Sequence, residues 1–311
     1  MNLHLYLLLI IACGSSSHAY FYTSFSTCPS SSGNRLRVEP ATLGCGSKRV
    51  QQGSCPRGQR FPHNSAKYST MAMTTSATWP PADRLSDYVT DSYLVDYKKL
   101  AAEEKDWLSG SISSIKKTDP AKMEKADKHA FLINAYNLWT LHWVIRERKC
   151  PRWKGHVSTF AKARFFYWHK ISTGQGKRNL YNFENKDIRP EVNDARVHFA
   201  LNCASISCPP LRRTLFTGAG LDAELNEVTS AAINGGVFVQ LLEDGNLLVN
   251  PIFKWYKDDF DKESGILAFI KKHWTGSPLS EDATIEFFGY DWRSNSSDAA
   301  WADRALGGPA P

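Results

Sequence analysis

The sequence predicts an α+β fold, a helix-rich single domain with a small antiparallel sheet, and three observations carry that prediction. Apolar residues recur at helical spacing between residues 86 and 148; short strand-like runs cluster after residue 195; and the two patterns follow one another instead of alternating, as a parallel α/β sheet would require.

From Ser86, the stretch SDYVTDSYLVDYKKLAAEEKDWLSG repeats apolar residues at Tyr88, Leu94, Tyr97, Leu100 and Leu108, which predicts one amphipathic helix stopping at Gly110. Asp119-Pro120 then reads as a helix entry, an Asp cap followed by Pro in the first turn. The helix it opens includes KHAFLINAYNLWTLHWVIRERK and ends before Cys150-Pro151. From Ala130 to Ile145 it is apolar on nearly every side, so it belongs in the middle of the domain. Asn134, Asn137 and His142 lie inside that run, and a buried polar group left unpaired costs about 1–3 kcal/mol, so all three need partners.

Further on, ARVHFALN predicts a short buried strand, and GGVFVQLLEDGNLLVNP a hairpin turning at its Asp-Gly. PIFKWYKDDF and GILAFIKKHW predict short helices, and ATIEFFGYDW a last strand. No internal repeat is present.

The flanks read differently. Residues 1–19 run apolar from Leu3 to Ala12 and end on Ser17 and Ala19, the small residues of a signal-peptide cleavage site, so a secreted, extracellular protein is expected. No later stretch reaches the roughly 18 uninterrupted apolar residues of a membrane span. Residues 20–80 are rich in Ser, Gly, Pro and Thr and form a loop-rich extension, residues 81–295 the folded domain, and residues 296–311 a flexible tail. Of the formal charge of +7, residues 20–78 hold +6. That segment is either a solvated linker or a patch for an anionic glycan or matrix; neither nucleic acid nor membrane is expected as a partner. In an oxidising compartment Cys28, Cys45, Cys55, Cys150 and Cys208 are disulfide candidates, and Asn295-Ser-Ser is a glycosylation sequon in an expectedly exposed place.

The stretch VHFALNCASISCPPL, residues 197–211, admits three readings. Cys203 and Cys208 can close a short disulfide, one that adds little stability because the loop is small. With His198 they offer three metal ligands, but no second pair completes a tetrahedral set, so neither metal nor organic cofactor is expected. In the third reading Cys203 is a nucleophile at a strand end, before the small residues Ala204-Ser205-Ile206-Ser207. Strand alternation would set His198 on the opposite face from Cys203, so the base must come from elsewhere, with His142 the natural candidate.

HAFLINAYNLWTLH, ARVHFALNCASISCPPL and the later YDW resemble, in order and over about residues 85–295, the signature blocks of the family known as domain of unknown function 547. Its first block maps onto Phe131, Asn134, Tyr136, Asn137 and His142, and its FALNCGxxSCPP block onto Phe199 to Pro210, with Ala204 where the family usually has Gly. The family tends to carry Ile-Glu-His before Leu-Arg-Pro, where this chain has Phe183-Glu184-Asn185 before Ile188-Arg189-Pro190. In relatives the first cysteine persists where the second becomes serine, which the resemblance turns into a special role for Cys203.

The resemblance implies Cys203 as nucleophile, His142 as base and Glu184 orienting the imidazole, with Asn134, Asn202 and Tyr136 around substrate or oxyanion. This arrangement is like that of cysteine peptidases and transglutaminases. It implies a thiol hydrolase or acyltransferase acting on a small-molecule or peptide substrate through an amide, peptide or ester. If the missing histidine were the family's base, Asn185 would mark an inactive member. The alternative is a non-catalytic binding or matrix protein working through residues 20–78.

Overall fold

The computed structural model describes residues 83–103, 107–149 and 153–298. The expected leader 1–19, the extension 20–80, Cys28, Cys45, Cys55, Cys150 and the tail beyond Asp298 lie outside them. The chain divides into two units, Met1–Thr74 and Thr75–Pro311, and every described residue belongs to the second. That unit is a mixture of helices with two small sheets, which is α+β.

The first expected helix does not form as one piece. A 3-10 turn Arg84–Asp87 is followed by the helices Tyr97–Ala102 and Leu108–Lys117, and Gly110 sits inside the last of these. Between the pieces the chain folds back: Val89 bridges Val95, the Thr90 hydroxyl accepts the Leu94 N–H, and Tyr93 adopts a φ of 59°. Of the apolar residues that suggested a helix, Tyr88, Tyr97, Leu100 and Leu108 are buried and Leu94 is half-buried, so burial largely held while the path between them did not.

The long helix occupies the expected stretch, but it begins at Lys125 with Glu124 before it, and Asp119-Pro120 opens a separate 3-10 turn where the helix itself was expected to start. The Asp119 carboxylate accepts the Ala121 N–H over a 3-10 turn Pro120–Lys122, and Lys125–Glu147 then runs through the centre of the first of two hydrophobic clusters. Its residues from His129 to His142 are buried without a break. The second cluster is aromatic: Phe199, Phe238, Phe253, Phe260 and Phe269 pack together, with Phe199 and Phe269 stacked at 5.8 Å. Burying each such ring contributes about 1.5–3 kcal/mol.

ARVHFALN is a 3-10 helix, Ala195–Phe199, where a strand was expected. Asp194 caps it, accepting the Arg196 N–H and pairing with its guanidinium, and the tighter turn sends neighbouring side chains into different clusters. Val197, Ala200 and Leu201 enter the first, Ala195 and Phe199 the second. The segment carrying the cysteines is therefore the seam between the two.

A hairpin of β1 (Lys170–Thr173) and β2 (Gly176–Asn179) stands apart from a three-stranded sheet. In that sheet β3 (Val239–Leu241) pairs antiparallel with β4 (Leu247–Val249) about the expected Asp-Gly turn, and β5 (Ile285–Phe287) pairs parallel with β4. The sheet is thus mixed, a correction to the antiparallel expectation. The short helices Ile252–Trp255, Lys257–Asp261 and Ile266–His273 occupy the expected stretches. Beyond β5 the chain passes through Tyr290, Asp291 and Trp292 and crosses the cysteine loop.

Candidate functional site

Cys203 and Cys208 are both free thiols and both buried. Three interactions hold the backbone between them against residues 291–294: Ser205 bridges Ser294, Ile206 N–H donates to Arg293 O (2.9 Å), and Ser207 N–H donates to Asp291 O (3.2 Å). Cys208 N–H closes the loop on Ser205 O (3.1 Å). Ala204 takes a φ of 66°, with its N–H on the Asn202 carboxamide oxygen (2.9 Å) and its carbonyl accepting from Asn295 N–H (3.2 Å). A left-handed residue favours glycine, which gives the family's usual Gly at this place a physical reason.

A second segment arrives beneath. Gly155, at a φ of 95°, bridges Arg293, and a Cβ there would lie 2.4 Å from the Ser294 nitrogen, so only glycine permits the approach. His156 follows, and its Nε2 lies 3.0 Å from the Cys203 carbonyl oxygen. Because a carbonyl only accepts, Nε2 carries the proton. Among the described residues Nδ1 has no hydrogen-bond partner, and the ring lies among Trp153, Phe165 and Phe166. Burial lowers this histidine to about 4, so it is neutral near pH 7.

The two sulfurs are electrostatically unequal. Burial raises both thiols, but at Cys203 the opposing effect of the neighbouring Cys208, the Tyr290 hydroxyl (3.4 Å) and Ser205 prevails, so its pKa falls below the ordinary thiol value. Cys208 goes the other way, raised well above it by burial and by Cys203. Its Sγ accepts the Cys203 N–H and donates to Leu201 O at 3.7 Å. Tyr290 is raised by burial and by both thiols, so it keeps its proton and acts as a donor to sulfur.

Glu184 lies in a π-helical turn, Phe183–Ile188, and is buried. Its carboxylate accepts from Tyr136 (3.1 Å) and from Tyr256, not from an imidazole. The Tyr256 ring stacks on His198 at 3.9 Å, and His198 pairs with Asp259 at 2.9 Å. His198 is thereby committed to a carboxylate and joins no ligand set with the cysteines. Among the described residues no group of three His, Cys, Asp or Glu is placed to hold a metal ion. Nor is any of their helices long and apolar enough to cross a membrane. Asn185, where the family tends to have His, donates to Tyr181 O and accepts from Arg189, so its side chain is engaged away from the sulfurs.

His142 is not on the thiol side. At about 100° per residue, Tyr136 and Asn137 define one face of the long helix, and His142 falls roughly half a turn away from it. Its Nε2 accepts from Arg146 (2.8 Å), and its ring meets Trp139 and Trp143 edge-on. Burial and the cations Arg146 and Lys116 lower it to about 4. The expected triad of Cys203, His142 and Glu184 is therefore not assembled, for reasons of helix phase.

The asparagines are clamps on backbone. Asn137 donates to Ala200 O and accepts from Asn202 N–H, both at 2.9 Å, while Asn134 donates to Phe216 O and accepts from its N–H. Asn202 donates to Pro209 O (2.6 Å). Each of the three thus commits one amide N–H to a backbone carbonyl, and Tyr136 gives its hydroxyl to Glu184. Asn295 is buried, accepting from Tyr97 (2.8 Å) and donating to Asn202 (3.4 Å), so the sequon is not in the exposed place expected of it.

His156 and Tyr290 are the neighbours of Cys203 that sequence reasoning missed. The one available signal was the YDW block, which contains Tyr290; nothing in the sequence connects His156 to a loop 47 residues later.

Neither the curated proteins nor the solved structures contain a match to this chain. The matched family region includes the long helix, Glu184 and both cysteines but not Tyr290. Residues 120–231 match the family described as Protein of unknown function, DUF547, the same family that the sequence blocks resemble.

Proposed function

We propose that Cys203 is the nucleophile of a cysteine-dependent hydrolase or acyltransferase acting on an amide, peptide or ester. The observation that carries this reading is the setting of the Cys203 sulfur: the Tyr290 hydroxyl donates to it from 3.4 Å and its pKa lies below the ordinary thiol value, while Cys208, raised well above that value, keeps its proton. A thiolate prepared by hydrogen-bond donors needs no adjacent imidazole to remove its proton. In the reaction the sulfur attacks the carbonyl carbon, the resulting oxyanion collapses to a thioester as the leaving group departs with a proton taken from solvent water, and water or an amine then attacks the thioester, breaking the C–S bond and returning the Cys203 thiolate. The fold likeness to cysteine peptidases and transglutaminases, and export from the cell, belong to the same proposal.

The test is acylation by p-nitrophenyl acetate followed by a tryptic map. Trypsin releases Val197–Arg212, which holds both cysteines. The expected product is a hydroxylamine-sensitive acetyl group on Cys203, absent in Cys203→Ala. Tyr290→Phe removes one donor to the thiolate, so the pH profile of acylation moves upward by about one unit. A Cys203 inert toward the ester at pH 7 in folded protein ends the proposal.

The +6 charge of residues 20–78 supports a second reading, an exported protein that holds an anionic glycan or matrix. Heparin retention that is lost in 0.5 M NaCl and on deleting that segment is the expected result.

A further inference from the structure

We propose that Cys203 and Cys208 form a reversible disulfide that switches this site off, with hydrogen peroxide as oxidant and a dithiol as reductant. The switching role rests on the reading of Cys203 as nucleophile; the disulfide itself does not.

Four features of the loop support it. Both sulfurs are free and buried, and the Cys208 sulfur already lies against residue 203, accepting its backbone N–H at 2.7 Å. The loop is bent toward closure by the left-handed Ala204 and by the Cys208 N–H bond to Ser205 O. Its backbone is fixed from outside by Asp291, Arg293 and Ser294, so closing the bond needs side-chain rotation and little backbone movement. The Tyr290 hydroxyl, 3.4 Å from Cys203 Sγ, gives that sulfur a proton donor.

The chemistry balances over two steps. The Cys203 thiolate attacks one peroxide oxygen, the O–O bond breaks, and hydroxide leaves as water after taking a proton, giving a sulfenic acid. Cys208 sulfur then attacks Cys203 sulfur, the S–O bond breaks, and a second water departs with the Cys208 proton. The protein has lost two electrons and two protons, which a dithiol returns by exchange. A loop this short gains little loop-closure entropy from the bond, so the disulfide is readily reduced, as a switch requires.

The full chain, reduced and freed of reductant, is treated with equimolar hydrogen peroxide, alkylated and digested without reduction. The expected result is Val197–Arg212 lighter by two hydrogens and free of alkylation, restored by dithiothreitol. In Cys208→Ser the sulfenic acid has no partner, and a cyclic 1,3-dione captures it on Cys203. Because the wild-type peptide alone carries the result, the idea stays testable if that variant misfolds. Three outcomes overturn it: Cys203 oxidised to sulfinic acid while Cys208 remains alkylatable, Cys203 crosslinked to a peptide bearing Cys28, Cys45, Cys55 or Cys150, or no change at this peptide. Disulfide formation without ester acylation ends the catalytic reading and leaves the redox pair; acylation without the disulfide does the reverse.

Discussion

Two faces of the long helix Lys125–Glu147 differ in what they do with polar side chains. On the thiol side, Tyr136 reaches the buried Glu184, and Asn137 holds the backbone at Ala200 and Asn202, immediately before Cys203. On the far side, His142 accepts from Arg146 between two tryptophans. Both faces are buried and both carry motif residues, so neither burial nor motif membership separates positioning from packing. What separates them is the element each face meets: one meets the cysteine seam, the other does not.

The largest expected break in that comparison comes from Asn137→Ala. It leaves a buried carbonyl and a buried N–H unpaired, and urea denaturation is expected to show a loss of about 2–5 kcal/mol. The same measurement on His142→Gln is expected to give a smaller loss than Asn137→Ala, since the new amide oxygen can still accept from Arg146.

Next in size is an acid effect. His156 and His142 both have folded pKa values of about 4 against an ordinary 6.5. Between those values the unfolded chain binds the proton and the folded chain does not, so stability is complete above about 6.5 and falls as pH drops toward 4. Full loss from His156 approaches about 3 kcal/mol. The two faces part in salt: after burial, the next largest influences on His156 raise it, whereas on His142 they are the cations Arg146 and Lys116 that lower it, so 1 M NaCl is expected to shrink the far-face share more. His156→Gln should flatten the slope of stability against pH; an unchanged slope would place the acid sensitivity elsewhere.

A smaller effect is expected at Ala204. Its left-handed backbone costs about 1–2 kcal/mol, part of which glycine returns as unfolded-state freedom, so Ala204→Gly should raise stability by up to about 1 kcal/mol. The smallest effect is kinetic. His142→Gln should leave the rate of Cys203 alkylation within about twofold of wild type, since the hydroxyl that reaches the Cys203 sulfur is that of Tyr290. A tenfold drop in folded protein would bring the far-face imidazole back as base.

Much of the fold was legible from local pattern. The buried long helix, the Asp-Gly hairpin and the short helices after Pro251 all depend on interactions within a few residues and all formed, while the Asp119-Pro120 entry capped only a separate 3-10 turn ahead of the helix. The failures share a cause. From Ser86 and again at ARVHFALN, the apolar spacing told which side chains would be buried but not which cluster would take them; Val197 and Phe199 went to opposite ones, and a 3-10 turn did what a strand could not.

By itself the sequence determined which segment is chemically unusual: two cysteines flanking small residues, next to a helix rich in buried amides. It also determined the family that residues 120–231 match. Tertiary structure alone decided which groups surround the sulfur. The phase of a helix turned His142 away, a glycine at position 155 let His156 in beneath Cys203, and a strand end delivered Tyr290 from 87 residues downstream. Hydrogen bonds act over about 3 Å whatever the separation along the chain, and only the packing of distant segments sets that distance.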